Sequence, residues 1–252
     1  MSSGGGDGST GPSVAIVDYG LGNLRSVGRG LERVGAVPTV VDEADTLPAH
    51  DGIVLPGVGA FREGARNAAP FRAALTGAAA DGTPILGICL GMQLLLTTSE
   101  EGDRTGESTV EGLSLIPGDN VRFRADETPG KVPHMGWNRL RVERSHPIVD
   151  GPAATDGGEP IADDGVDDGV GTGRSPPAVG SVDGEYAYFV HSYYAVPDDP
   201  KAVVATTDYG ASFPSVIGDG TVFGTQFHPE KSGGTGLRIL ANFAVICGAG
   251  VE

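Results

Sequence analysis

Residues 84–96 read Pro-Ile-Leu-Gly-Ile-Cys-Leu-Gly-Met-Gln-Leu-Leu-Leu, and this stretch decides the fold. Its apolar first half is typical of a buried strand, and its second half favours a helix. Between the halves lies Gly87-x-Cys89-x-Gly91, whose glycines allow the sharp, strained turn of a nucleophile elbow. Such a turn joins a strand of an open parallel sheet to a helix. We therefore expect Cys89 at the carboxyl edge of the sheet, above a helix N-terminus that favours a thiolate.

The flanking sequence supports an α/β fold with an open, mostly parallel central sheet. Before the elbow, short apolar runs alternate with helical patterns, which predicts a flavodoxin-like sheet with helices on both faces. After about Val110, β-type segments separated by short loops are expected to add antiparallel strands to this sheet, and a helix at about 235–249 closes the chain. The predicted strands are 14–17, 37–41, 53–55, 84–88, 121–125, 137–142, 186–196, 203–207, 213–216 and 222–227.

Two regions lack this periodicity. Residues 1–12 form a Gly/Ser-rich tail, and residues 151–183 combine many glycines with acidic residues. Such compositions predict a flexible tail and a solvated, mobile insertion. Residues 13–249, which include this insertion, are long enough to bury a sizeable core and are expected to form a single domain.

The charge balance excludes several classes of partner. The 252 residues include 33 acidic and 17 basic side chains, which gives a formal charge of -16. Because a uniformly negative surface repels phosphate, neither nucleic acid nor an acidic membrane surface is an expected partner. The same balance predicts a halophilic protein whose stability rises with the KCl concentration.

Other classes of site and location are excluded by what the sequence lacks. It has no run of about 18 apolar residues and no signal-peptide features, so a cytoplasmic protein is expected. Two distant cysteines and five scattered histidines do not have the spacing of a metal site. Since a thiolate hydrolyses an amide without help from a cofactor, neither a metal nor a cofactor is expected.

A catalytic thiolate needs a base, and the base needs an orienting group. His228 and Glu230 stand in the segment 226–230, Gln-Phe-His-Pro-Glu, whose proline favours extended geometry for the residue before it. Side chains two residues apart on an extended segment can lie on the same side. Glu230 can therefore hold the imidazole that faces Cys89, and these three residues form the predicted catalytic triad.

Attack on an amide creates an oxyanion, which needs preorganised N–H donors. The N–H of Leu90, directly after the nucleophile, is one candidate. The loop Gly57-Val58-Gly59 can supply a second donor. Because residue 62 is an arginine, this loop does not complete the G-x-G-x-x-G fingerprint, and a dinucleotide site is not expected.

Several segments carry a resemblance to a known family. The elbow and the His-Pro-Glu segment resemble the class I, or triad, glutamine amidotransferases. Further segments narrow the resemblance to the glutaminase subunits of imidazole glycerol phosphate synthase, and it covers about residues 14–247. These segments are Asp18-Tyr-Gly-Leu-Gly-Asn23, Pro56-Gly-Val-Gly-Ala-Phe61, Pro133-His-Met-Gly-Trp-Asn138, Tyr188-Phe-Val-His-Ser-Tyr193 and Lys231-Ser232.

The resemblance implies the fold of that family and a glutaminase reaction. Cys89 would attack the side-chain amide of L-glutamine, and His228, held by Glu230, would pass a proton to the leaving ammonia. Water would then hydrolyse the thioester to glutamate. The residues that match the oxyanion and glutamine-binding positions of the family are Leu90, Val58, Gly59, Gln93, Glu101, His191, Ser192 and Tyr193.

The resemblance also implies a partner. A cyclase subunit with a (β/α)8 barrel would form a heterodimer with this chain and use the ammonia to make imidazole glycerol phosphate and an aminoimidazole carboxamide ribotide in histidine biosynthesis. For Trp137, core packing is an equally good interpretation, because a lone tryptophan is often buried. The residues that match segments facing the cyclase are Asn23, Met135, Trp137 and Lys231.

Three other interpretations stay open. The chain could supply ammonia to a different synthase, although the segments at 18–23 and 135–138 argue against this. It could be a cysteine hydrolase or peptidase, which would leave Gln93 and the His-Pro-Glu segment without a role. It could also be an inactive binding subunit, but all three triad positions are filled.

Overall fold

The chain folds into strands and helices that alternate as far as the elbow and become mostly strands after it. The structure, a computed structural model, describes residues 11–101, 109–124, 131–151 and 179–249. The strands in these ranges are β1 (Ser13–Val17), β2 (Val37–Val41), β3 (Gly52–Gly57), β4 (Ile85–Cys89), β5 (Thr98–Ser99), β6 (Val110–Glu111), β7 (Gly118–Arg122), β8 (His134–Arg139), β9 (Arg141–Val142), β10 (Tyr186–His191), β11 (Tyr193–Pro197), β12 (Val203–Tyr209), β13 (Ala211–Asp219) and β14 (Val222–Thr225). The α-helices there are α1 (Leu24–Arg33), α2 (Phe61–Ala68), α3 (Arg72–Ala80), α4 (Leu90–Leu95), α5 (Pro147–Asp150) and α6 (Gly233–Gly248). None of these helices is long and apolar enough to cross a membrane.

Five neighbouring strands of the central sheet are parallel and lie in the order β2-β1-β3-β4-β14. Since β14 is the fifth parallel strand along the chain, this is the flavodoxin-like order 2-1-3-4-5. The sheet continues beyond β14 with the antiparallel strands β13, β12 and β9. The predicted fold class, a mostly parallel α/β sheet with antiparallel additions, is confirmed.

Helices cover both faces of the central sheet, and each face has its own core. On one face, α1 and α6 bury Leu31 and Phe243 completely. On the other face, α2 and α3 do the same with Phe61 and Leu75. Full burial of one such side chain contributes about 1.5–3 kcal/mol, so the two faces supply much of the stability of the fold.

The antiparallel strands do not all join the central sheet, which corrects the sequence prediction. β8 pairs with β10 in a two-stranded sheet, and β11, β7, β5 and β6 form a four-stranded sheet. The predicted strand 186–196 breaks at Ser192, so β10 and β11 have different partners. His191 Nδ1 donates to the carbonyl of Tyr193 at 2.8 Å, and this contact across Ser192 stabilises the break.

Most of the two aperiodic regions lies outside the described residues, namely 1–10 of the predicted tail and 152–178 of the predicted insertion. The described end of the predicted insertion packs against the domain. Val182 is fully buried, and its N–H donates to the carbonyl of Val149 at 2.9 Å. The composition of this stretch predicts a solvated insertion up to residue 183, but Val182 belongs to the core.

Candidate active site

Cys89 occupies a strained turn between β4 and α4. It is the last residue of the strand, and its φ of 54° and ψ of -107° are rare for any residue except glycine. Neighbouring glycines make this turn possible. A Cβ atom at Gly87 would lie 2.7 Å from the backbone nitrogen of Met92, and one at Gly91 would overlap the carbonyl of Leu55. The predicted elbow is therefore present, with the cysteine at the carboxyl edge of the sheet.

His228 and Glu230 follow β14, which is the parallel neighbour of β4. Because Thr225 pairs with Ile88, the chain after β14 emerges beside Cys89. His228 Nδ1 lies 3.0 Å from Glu230 Oε1, and the two side chains are only 4% and 1% exposed. Cys89 and His228 line the same cavity, and the charge of Cys89 raises the pKa of the imidazole. The structure thus brings the three predicted triad residues together.

The surroundings of His228 favour its charged form. Burial alone would lower the pKa of this imidazole, since it disfavours the cation. The hydrogen bonds to Cys89 and Glu230, together with the negative charges of both groups, outweigh burial and raise the pKa to about 9. A histidine placed in this way can take the proton of the thiol and later give it to a leaving group.

A cavity of about 330 Å³ opens beside the sulfur. Its volume lies at the lower end of the range for small-molecule sites, which suits a ligand the size of an amino acid. Glu230 is not in its walls and lies behind His228. The wall residues include all eight that were predicted for oxyanion or substrate binding, namely Val58, Gly59, Leu90, Gln93, Glu101, His191, Ser192 and Tyr193.

The glycine loop after β3 is anchored at its start and open at its tip. The Tyr19 hydroxyl donates to the carbonyl of Pro56 at 2.6 Å, and Gly57 is packed too closely for any side chain. Burial raises the pKa of Tyr19, so this hydroxyl stays protonated and remains a donor. At the tip, Gly59 has a φ of 108°, no atom of the described residues lies within 4 Å of its Cβ position, and Val58 is 39% exposed. Within the described part of the chain, the tip of the loop is therefore open around Gly59.

Glu101 and Gln93 bring polar groups to the cavity wall. The carboxylate of Glu101 accepts a hydrogen bond from the N–H of Phe61 at 3.1 Å. Burial raises the pKa of this carboxyl group, and the hydrogen bond partly opposes the rise. Gln93 Nε2 donates to the carbonyl of Tyr193 at 2.9 Å and to Gln226 Oε1 at 3.1 Å. Both N–H groups of the Gln93 amide are thus used, and its oxygen is the atom left for a ligand.

His191 forms a neutral part of the wall. Its Nε2 lies 3.0 Å from Nδ1 of His134, and its Nδ1 faces the carbonyl of Tyr193. A carbonyl can only accept, so His191 carries its proton on Nδ1 and accepts from His134 on Nε2. Burial lowers the pKa of His191 to about 3 and that of His134 to about 4. This pair holds the break between β10 and β11 and does not provide a second acid or base.

The four residues predicted to face a partner differ in their exposure. Met135 and Trp137 alternate with inward-facing residues on β8 and are 63% and 56% exposed. The Trp137 ring makes an edge contact with Tyr188, with the ring centroids 5.9 Å apart. Lys231 is exposed at the cavity wall, and Asn23 is partly buried at the start of α1. Trp137 is therefore exposed and is not packed in the core.

Two residues near the nucleophile were not singled out from the sequence, Gln226 and Tyr19. Gln226 Nε2 lies 3.9 Å from Cys89 Sγ, and the Tyr19 hydroxyl holds the base of the glycine loop. Each residue comes just after a strand of the parallel sheet, at its carboxyl edge. Their position at this edge was the available signal, because the polar residues that follow parallel strands gather where the ligand binds.

Comparison with known proteins agrees with this geometry. The chain matches the family model for glutamine amidotransferase class-I over residues 15–247. It is 60% identical over 236 residues to the imidazole glycerol phosphate synthase subunit HisH of Haloarcula marismortui, with coverage of 93% of this chain and 95% of the relative. The subunit of the same name from Halobacterium salinarum is 56% identical over 244 residues, with 96% and 97% coverage. That of Geobacillus thermodenitrificans is 42% identical over 241 residues, with 92% and 95% coverage.

Solved structures share the architecture. A crystal structure of a glutamine amidotransferase superposes with a TM-score of 0.62 at 16% identity, covering 93% of this chain and 98% of the other. A chain from the structure of PurLQS from Thermotoga maritima gives a TM-score of 0.63 at 21% identity, with the same coverage. At these identities the likeness shows the fold alone.

Proposed function

Because this chain belongs to the class I glutamine amidotransferases, and within them to the imidazole glycerol phosphate synthase subunit HisH family, we propose that its cavity hydrolyses L-glutamine. The chain is an enzyme, the glutaminase subunit of that synthase, and acts in histidine biosynthesis. One observation carries the assignment of the reaction to this cavity. Cys89 and His228 lie together in the wall of the cavity, and the buried carboxylate of Glu230 holds the imidazole at 3.0 Å.

The first half of the reaction forms a thioester and releases ammonia. The Cys89 thiolate attacks the side-chain amide carbon of glutamine, and the carbonyl oxygen becomes an oxyanion. The N–H of Leu90 and the glycine loop at Val58 and Gly59 stabilise this charge. The imidazolium of His228 gives its proton to the amide nitrogen, the C–N bond breaks, and ammonia leaves.

The second half restores the enzyme. Neutral His228 takes a proton from water as that water attacks the thioester carbon. The resulting oxyanion uses the same donors, and its collapse breaks the C–S bond and releases glutamate. The thiolate of Cys89 and the imidazolium of His228 are formed again, with Glu230 holding the ring in position throughout.

Substrate selection rests on the polar wall residues. The carboxylate of Glu101 suits the α-ammonium of a free amino acid, and donors of Ser192 and Tyr193 suit its carboxylate. The free oxygen of Gln93 can accept a hydrogen bond from the amide NH₂ of the substrate. A group of this kind distinguishes glutamine from glutamate, whose ionised carboxylate has no N–H to donate.

We further propose that the ammonia passes, shielded from water, to a cyclase subunit with a (β/α)8 barrel in a cytoplasmic heterodimer. The exposed side chains of Met135 and Trp137 are of the types enriched at the centre of protein interfaces. Asn23 and Lys231 would contribute polar contacts at the same surface. Cyclase binding at the open side of the cavity would also give the glycine loop the contacts that it lacks here.

The proposed function is tested by measuring glutamate release with and without the cyclase and its nucleotide ligand. Weak activity is expected for the chain alone and much higher activity in the complex, because the tip of the glycine loop is open around Gly59 among the described residues. Cys89→Ala should abolish the activity in both states. Glutamate release by Cys89→Ala at the wild-type rate would refute the site, and equal wild-type rates in both states would refute the regulation. If the chain captured a different synthase in place of the cyclase, that result would favour the alternative that it supplies ammonia to another synthase.

A further inference from the structure

The hydrogen bonds behind the sulfur form a continuous chain whose direction is fixed at its far end. The carbonyl oxygen of Tyr193 can only accept, so the NH₂ group of Gln93 faces it, at 2.9 Å. The same nitrogen lies 3.1 Å from Gln226 Oε1. With the Gln226 amide rotated by half a turn, two NH₂ groups would face each other, donor against donor. Gln226 therefore presents its oxygen to Gln93 and its NH₂ group to the opposite side.

On that opposite side lies the nucleophile. Gln226 is fully buried, and its Nε2 lies 3.9 Å from Cys89 Sγ. The parallel register of the sheet brings the two residues together, because Thr225 of β14 pairs with Ile88 of β4 and the next residues leave the sheet side by side. A buried N–H group needs an acceptor. Within the described part of the chain, the sulfur is the acceptor that this amide reaches.

The sulfur meets different partners in its two protonation states. A neutral thiol can donate to the carbonyl of Val190, which lies 3.8 Å from Sγ. A thiolate has no proton to donate and is instead stabilised by N–H donors. The donors around it are the imidazolium of His228 and the NH₂ group of Gln226. Because a neutral thiol sulfur accepts only weakly, the contact with Gln226 is stronger for the reactive, ionised nucleophile.

Other titratable groups lie near the sulfur, but those named here do not take the place of the Gln226 NH₂ group as its donor. The Tyr19 hydroxyl is directed to the carbonyl of Pro56 and stays neutral. Glu101 and Lys231 lie on the wall of the same cavity, where the substrate enters. Gln226 is thus a fully buried, neutral donor that is not among the residues lining the cavity.

We propose that Gln226 is a positioning residue of the glutaminase reaction: its NH₂ group holds the Cys89 thiolate by a hydrogen bond, and Gln93 fixes the orientation of that amide. The inference rests on the proposed function and adds a neutral donor to its charged triad. Such a donor stabilises the negative sulfur while leaving the charge of the site unchanged. Gln93 then has two tasks, since its oxygen faces the substrate and its NH₂ group orients Gln226.

The pH dependence of Cys89 alkylation by iodoacetamide tests this role, because the reagent detects the thiolate without any need for glutamine binding. Gln226→Leu removes the donor at similar volume, and Gln226→Glu places a carboxylate beside the sulfur. We expect the midpoint of the alkylation profile to rise by about one pH unit in Gln226→Leu, which means about tenfold less thiolate on the acid side. The rise should be larger in Gln226→Glu. It should be smaller in Gln93→Met, where the donor remains but loses its orienting partner.

Matched controls separate this role from general damage to the core. Ser215→Ala alters a buried hydroxyl on β13 that makes no hydrogen bond within the described residues, and its alkylation midpoint should equal that of the wild type. Cys89→Ala reports any reaction at the buried Cys247. Circular dichroism and cooperative unfolding identify the variants that fold, and if Gln226→Leu does not, Gln226→Glu and Gln93→Met decide the question.

The possible failures can be told apart. Wild-type midpoints in the folded variants at Gln226 and Gln93 would overturn the positioning role, even if the wild-type enzyme releases glutamate. Absence of glutamate release by the wild-type complex would overturn the proposed function itself. An equal shift in Ser215→Ala would also overturn the inference, because any disturbance of the neighbouring strand would then have the same effect.

Discussion

The nucleophile side and the oxyanion side of the cavity are held in different ways. On the nucleophile side, Cys89 is hydrogen bonded to Gln226 and shares the cavity wall with His228, and a further buried side chain holds each of these two residues. On the oxyanion side, Val58 is 39% exposed, and Gly59 has a positive φ and open space at its Cβ position among the residues that the structure describes. If the proposed function holds, this difference predicts that the nucleophile is assembled in the chain alone, whereas the second oxyanion donor depends on a segment that the cyclase orders.

The largest effect is expected on the nucleophile side, from Glu230→Gln. An amide at this position cannot favour the imidazolium of His228 as the carboxylate does, and it can hold the wrong tautomer of the ring. We expect kcat for glutamate release to fall about 10³- to 10⁴-fold, with little change in KM. Steady-state kinetics of the complex with the cyclase measure both constants. A loss below about tenfold would mean that His228 does not depend on this carboxylate.

A smaller effect is expected on the oxyanion side, from Gly59→Ala. The added Cβ meets no atom, but alanine disfavours a φ of 108°, so the loop tip must move. Loss of one oxyanion donor lowers kcat by about 10²- to 10³-fold, and we expect the lower value here. Gly77→Ala in α3 is the matched control, because it also has open space and lies on an exposed helix face.

Gly77→Ala should leave kcat unchanged and raise the free energy of unfolding by about 0.5–1 kcal/mol, since alanine is favoured over glycine inside a helix. Urea unfolding measures this change. If Gly59→Ala keeps the wild-type kcat, the tip of the loop does not supply an oxyanion donor, and the proposed difference between the two sides is lost.

A substitution at the far end of the cavity should affect binding and leave the chemical step nearly intact. Glu101→Gln removes the negative charge proposed to meet the α-ammonium of glutamine, and we expect KM to rise about 10- to 100-fold with kcat nearly unchanged. The neighbouring Glu100→Gln is the control, because Glu100 is exposed and bonds to the N–H of Arg122 at 3.0 Å. A large fall in kcat for Glu101→Gln would place this residue in the chemistry itself.

The smallest effect is expected on the pH dependence of kcat, which should fall by about tenfold per pH unit on the alkaline side. Burial opposes the imidazolium of His228, but the hydrogen bonds to Cys89 and Glu230 prevail and raise its pKa to about 9. Above this pH the ring has no proton to give to the departing ammonia, so kcat should fall on the alkaline side. A constant kcat up to pH 10.5 would contradict the assignment of His228 as the acid.

The same raised pKa predicts how stability depends on pH. Because the folded-state pKa of His228 lies above the usual value of about 6.5, its contribution to stability is complete below about pH 6.5 and is lost as the pH rises through about 9. The difference in the free energy of unfolding between wild type and Glu230→Gln should therefore shrink over this interval. Urea unfolding at pH 6 and at pH 9.5 measures it.

The sequence was most informative where local patterns decide the structure. The elbow around Cys89 and the His-x-Glu pair could be found because glycines, a proline and residue spacing constrain the backbone within a few residues. Parallel strands that are buried on both faces appear as uninterrupted apolar runs, and these predicted the central sheet.

Features that depend on long-range contacts could not be predicted in this way. The alternation from Tyr186 to Val196 continues through Ser192, so nothing local marks the break between β10 and β11. That break is held by His191, whose imidazole contacts His134, a residue 57 positions away. The position of Gln226 beside the sulfur likewise follows from pairing between β14 and β4, whose partners lie more than 130 residues apart.

The central claim is that Cys89 attacks glutamine with the help of His228, and it is tested most directly by mass spectrometry of the complex quenched with acid during turnover of L-glutamine. A γ-glutamyl thioester should be found on the peptide that contains Cys89 and should be absent from Cys89→Ala. A covalent adduct on another residue, or continued release of glutamate by Cys89→Ala, would contradict the claim.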